Sequence, residues 1–174
     1  MRVGLSNLPD AGFTEATVER MWELIHTARK DPVWIGLVRR LVKECPPKDY
    51  FCEAETLAEL FHGIRGPLVR YRKDDQRIEQ VHHPFITLHF AAGDCDDLVT
   101  LYGAGVGTIG HPYRIVTVKA DARRPDKWSH TWGEVKLATR GWLGADLTES
   151  DSYLGWTPAP ERYWAKKIFN EPGV

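Results

Sequence analysis

The apolar residues of this chain change their spacing part-way along, and that change limits the folds open to it. Before Pro67 they recur at three- and four-residue steps. One set is Val18, Met21, Trp22 and Ile25, after a candidate cap at Thr14. A second is Trp34, Leu37, Val38 and Leu41, opened by Asp31-Pro32 and stopped by "CPP". A third, Leu57, Leu60, Phe61 and Ile64, runs from about Asp49 to Gly66-Pro67. Each set marks one face of a helix. Beyond Pro67, "LVRYR" alternates like a half-buried strand and "KDDQ" reads as a turn. "HPFITLHFAAG" reads as a short helix opened by Pro84 and closed at Gly93, and another helix runs from Cys95 to near Gly110. Three strand-like stretches follow: "YRIVTVKA", "HTWGEVKLA" and "GWLGADLT". Helices first and consecutive strands later predict an α+β fold with an antiparallel sheet. The tail from Tyr153, rich in proline and aromatic residues, is expected to wrap the surface without a core of its own.

With 174 residues, 43% of them hydrophobic, the chain suits one core. The expected organisation is a single domain, 1–174, with a helical part at about 14–66 and a functional core at about 67–160. A formal charge of −1 gives no global attraction to nucleic acid or an anionic membrane. The first twenty residues contain no apolar signal-peptide region, and stretches such as "VWIGLV" are too short to cross a bilayer. A soluble protein is expected. Cys45, Cys52 and Cys95 form an odd, sparse set without a C-x-x-C pair. They predict a reduced compartment, no disulfide framework and no structural zinc, with Cys45 and Cys52 as ordinary thiols.

In "GAGVGTIG", Gly105, Gly107 and Gly110 match the dinucleotide pattern G-x-G-x-x-G. That motif needs a helix immediately after it, to point its N-terminus at the pyrophosphate, whereas here His111-Pro112 and a β-rich "YRIVTV" follow. The alternative is that Gly103, Gly105 and Gly107 let the helix behind Cys95 pack closely on another element.

The stretch "AAGDCDDLV" places Cys95 at a helix start, where amide donors and positive partial charge favour a thiolate. Asp94 or Asp96 can cap that helix, but both add negative charge beside the sulfur, so a cationic partner is required. His130, opening "HTWGEVKLA", is the histidine best placed on a strand, and Asp146 in "GWLGADLT" can reach its ring from the next strand. A nucleophile, a base and an orienting acid in this form suit thiol acyl transfer. A buried structural cysteine is the plain alternative. Asp97 reads as a structural ion-pair member. His82, His83 and His89 lack a carboxylate or cysteine at ligand spacing, so no metal site is expected. Trp128 and Trp132 either wall a cleft or belong to an aromatic core.

Taken in order, the "GDCDD" block from Gly93 to Asp97, the turn from Gly110 to Pro112, "SHTW" from Ser129 to Trp132 and the segment Trp142–Thr148 resemble the transglutaminase-like superfamily, in its compact bacterial and bacteriophage branch. Upstream, the "RY" strand and the stretch from Glu79 to Pro84 are similar to the same pattern. The resemblance covers about residues 50–160. It implies a transglutaminase-like, cysteine-proteinase-like fold and makes Cys95 the nucleophile, His130 the base and later the acid, and Asp146 the residue that orients the imidazole. The Cys95 amide becomes one oxyanion donor; Tyr71, Gln80 and His82 are candidates for a second, and Trp132 for the cleft wall. The implied substrate is a protein or peptide amide, resolved by water or by a second amine, with no cofactor. The alternative is a phage virion or assembly protein that keeps the fold with weak or no catalysis. Location in a bacterial cytoplasm or in a virion follows from the same resemblance.

Overall fold

The structure, a computed structural model, describes residues 15–73 and 80–173. The cap at Thr14, the turn beyond Lys73 and the position of Glu79 lie outside them. Three helices lead the chain as their spacing predicts: α1 (Glu15–Ala28), α2 (Pro32–Leu41) and α3 (Tyr50–Leu60). Asp31 caps α2 through the amides of Val33 and Trp34 at 2.7 and 3.3 Å, and Asp49 caps α3 through the amide of Cys52 at 3.0 Å. α3 stops six residues short of Gly66. His62 turns its Nδ1 back on the amides of Ile64 and Arg65, and the Gly63 amide binds the Leu147 carbonyl at 2.8 Å, so these amides are taken from the helix.

Cys45 and Cys52 are joined in a disulfide, which corrects the reading of both as free thiols. The bond ties the "CPP" turn behind α2 to the first turn of α3. The expectation of a reduced compartment loses its basis with it.

The "LVRYR" strand contracts to β1 (Arg70–Tyr71), which pairs in parallel with β2 (Ala92–Gly93), between α4 (Pro84–Phe90) and α5 (Cys95–Thr108). Every residue of α5 from Cys95 to Gly107 is buried, as befits a helix with no polar stripe beyond its first turn. Its glycines allow close packing: a Cβ on Gly103 would run into the Tyr113 ring, and one on Gly105 would lie 3.2 Å from Phe61. The close-packing explanation of the glycine run therefore holds.

The antiparallel sheet has the order β5-β4-β3-β6, built from β3 (Tyr113–Lys119), β4 (His130–Leu137), β5 (Gly141–Ala145) and β6 (Ala165–Asn170). One face packs on α5 through Tyr113, Ile115 and Val135, while Val116, Val118 and Trp132 form a smaller apolar cluster of their own. β6 is the correction in the tail: residues expected to wrap the surface instead form an edge strand, paired with β3 from Arg114↔Asn170 to Lys119↔Ala165. Lys166 and Lys167 keep that edge charged.

Candidate active site

Cys95 is the first residue of α5, and its helix is capped by Asp94, which accepts the Asp97 amide at 3.3 Å. The chain reaches it through the parallel pair Tyr71↔Gly93, so β1 lies alongside the residues just before the cysteine. Gly93 is required there, since a Cβ would sit 2.6 Å from that of Asp97. From the other side comes the start of β4, whose Thr131 amide faces the sulfur.

Burial, joined by the charges of Asp94 and Asp96, pushes the Cys95 thiol well above its ordinary range; the Thr131 amide opposes this and Asp146 adds to it. The sulfur therefore rests as a thiol. Tyr71, 40% exposed, is also pushed upward, by burial first and then by Cys95, Asp94, Asp96 and Asp146. Its phenol stays protonated, a neutral donor within the field of the same acids.

His130 Nε2 and Asp146 Oδ2 are 2.6 Å apart. The other carboxylate oxygen accepts both the amide and the hydroxyl of Thr148, at 3.1 and 2.7 Å. Burial works to raise the Asp146 carboxyl, but the bonds from His130 and Thr148 outweigh it and hold the group below the usual carboxylate range. An ionised Asp146 accepts, so Nε2 carries the proton, and a neutral His130 then has its lone pair on Nδ1. The Asp146 backbone is braced from behind: its carbonyl accepts the Ser152 hydroxyl, which lies 3.0 Å from His62 Nε2.

The remaining sequence candidates are dispersed. His82 gives its amide and Nδ1 to the two oxygens of Asp97, at 2.7 and 2.8 Å, so Asp97 is the structural partner expected of it. Gln80 lies half-buried just before that segment. Trp132 does not line an open cleft. It is fully buried, 6.2 Å ring to ring from His130, with Tyr163 packed on its cluster and Lys166 Nζ 5.3 Å over its ring. Among the described residues, Asp94, Cys95 and Asp96 bring three potential ligand atoms within 4.8 Å of one another. Two hard oxygens and one soft sulfur make a mixed set, and the carboxylates act here as electrostatic neighbours of the thiol.

Ser152, His62 and the Thr131 amide have no individual signal in the sequence. Only Thr148 could have been anticipated, because an aspartate two residues before a threonine is suited to a local side-chain turn.

The profile of the Transglutaminase-like superfamily matches residues 39–147, more than half of the chain. The chain belongs to that superfamily. Solved structures share its fold. LapG from Legionella pneumophila aligns at 16% identity and a TM-score of 0.51, over 83% of this chain and 78% of its own. A candidate protease from Parabacteroides distasonis aligns at 10% identity and a TM-score of 0.51, over 82% of this chain and 32% of its own. A candidate cysteine protease from Cytophaga hutchinsonii aligns at 15% identity and a TM-score of 0.49, over 94% of this chain. This member of the superfamily spans about half the length of the Cytophaga structure, 54%, and about a third of the Parabacteroides one. No curated protein matches it with significance. Among the described residues no helix is long and apolar enough to cross a membrane.

Proposed function

We propose that this protein is a cysteine peptidase or amidase in which Cys95 is the nucleophile, His130 the proton carrier and Asp146 the residue that orients it. The observation that carries the reading is the 2.6 Å contact between His130 and the buried Asp146, at the start of the strand whose next amide faces Cys95. Cys95 Sγ attacks the amide carbonyl while its proton passes to His130 Nδ1. The tetrahedral oxyanion is met by the Cys95 amide and the Tyr71 hydroxyl. When the C–N bond breaks, His130 returns the proton to the departing amine and leaves a thioester. Water, deprotonated by His130, then releases the carboxylic acid and restores the thiol. A protein or peptide substrate is in keeping with the fold shared with LapG and the candidate protease from Parabacteroides.

A non-catalytic scaffold, such as a phage assembly protein, is the second reading. The raised Cys95 thiol favours it. Incubation with p-nitrophenyl acetate, followed by acid quench and peptide mass mapping, separates the two. The enzyme reading predicts an acetyl thioester on Cys95 that disappears in His130→Ala. An unmodified Cys95 in both proteins supports the scaffold.

A further inference from the structure

A cavity built by segments that adjoin the candidate site in the chain differs in charge from the surroundings of Cys95. A cavity of about 440 Å³ is lined by Lys73, Asp121, Arg123 and Arg124. Lys73 stands two residues beyond Tyr71, on the segment that leaves β1 beside the Cys95 end of α5. Asp121, Arg123 and Arg124 belong to the turn after β3, and Ser129 ties that turn down: its hydroxyl oxygen accepts the amides of Ala120 and Asp121 at 2.9 and 3.0 Å. Ser129 directly precedes His130. The cavity walls therefore come from the two segments that flank Cys95 and His130.

Among the described residues, three cations share this cavity with one carboxylate, and that carboxylate is occupied. Asp121 binds Arg124 Nε at 2.9 Å and the Arg123 amide at 2.9 Å. Around Cys95 the balance is reversed, with Asp94, Asp96 and Asp146 all acting on the thiol. A negatively charged group directly over the sulfur is repelled, whereas one held to the side of it meets Lys73 and Arg123. We propose that this cavity is a subsite for the side-chain carboxylate of an acidic residue in a peptide, displaced along the chain from the bond that Cys95 attacks. The inference rests on the reading of Cys95 as the nucleophile, and it adds a substrate class: peptides with an acidic residue flanking the scissile bond.

Iodoacetyl-peptide amides with glycine spacers of increasing length, ending in Glu or in Gln, test it through the rate of Cys95 alkylation. The side chain is then the only carboxylate that differs. At one or more spacings the Glu probe is expected to react about threefold faster than its Gln partner, the size of a pair of exposed ion pairs. The ratio should return to one in about 1 M salt, where screening acts within a few ångströms, and in the double variant Lys73→Gln/Arg123→Gln. Equal Glu and Gln rates at every spacing overturn the inference, as does a Glu preference that survives in the double variant. If Cys95 resists plain iodoacetamide, the nucleophile reading has failed separately. Binding of the acetylated Glu and Gln peptides to Cys95→Ala, followed by NMR, then decides the subsite: Glu-specific shifts at Lys73 and Arg123 support it, and equal shifts overturn it.

Discussion

His82 and His130 each meet an aspartate that solvent does not reach, yet the two pairs are built for different work. His82 spends its backbone amide and its ring on both oxygens of Asp97, so one residue saturates the carboxylate. The result is a clamp between the irregular segment before α4 and the first turn of α5. His130 offers only Nε2 to Asp146, and Thr148 takes the second oxygen. Its backbone is held instead by the ladder with β3, opposite Val118. Among the described residues its Nδ1 makes no hydrogen bond. A buried His–Asp contact is therefore no mark of function by itself. What separates the pairs is which group completes the aspartate and which ring nitrogen is left to act.

The largest effect expected from breaking this comparison is that of Asp146→Asn. An amide at that position presents a donor to Nε2 and favours the wrong tautomer, so thioester formation on Cys95 should fall on the order of 10³-fold or more with the fold intact. Kinetics with p-nitrophenyl acetate alongside circular dichroism check this. Asp97→Asn should do the reverse. Its new NH2 group takes the place of one oxygen and meets either the His82 amide or its Nδ1, donor against donor, and we expect about 3 kcal/mol of lost stability in urea titration, with the activity of the folded fraction retained.

The comparison is sharpened by the brace behind Asp146. Ser152→Ala removes the hydroxyl that links His62 to the Asp146 carbonyl and should cost about 1 kcal/mol. Calorimetry measures it. The smallest effect concerns pH. Burial, and then the charge of Arg65, lower the His62 pKa, and its Nδ1 already accepts two amides, so the folded state resists a proton that the unfolded chain takes near about pH 6.5. Stability from this group is full above that value and is lost as pH falls below it. His62→Gln should flatten the acid limb of stability by less than about 1.4 kcal/mol per pH unit, the slope of one proton. Because burial also lowers His83 and His111, part of the limb should remain.

Much of this arrangement is legible in the residues. Periodicity marks the first three helices, because each buries one face against a common core, while Pro84 and Gly93 bound α4 and the strand-like runs mark β3 to β5. The place of Cys95 at a helix start is legible from "AAGDCDD", and the pairing of His130 with Asp146 from two adjacent strands and an ordered set of motifs. β6 is not legible, because "AKKIFN" lies at a charged edge and buries almost nothing, so no alternation announces it. The disulfide is hidden by the same logic: two cysteines seven residues apart around "PP" state no connectivity, and only the turn between α2 and α3 brings them together. His62 is silent because its role depends on a loop 90 residues away.

The most direct test of the difference between the two pairs is the rate of iodoacetamide alkylation at Cys95 across neutral pH in wild type, His130→Ala and His82→Ala, each verified as folded. The account predicts that Cys95 reactivity collapses toward that of an unassisted buried thiol in His130→Ala and is kept in His82→Ala. Equal rates in wild type and His130→Ala, or a loss confined to His82→Ala, would contradict it.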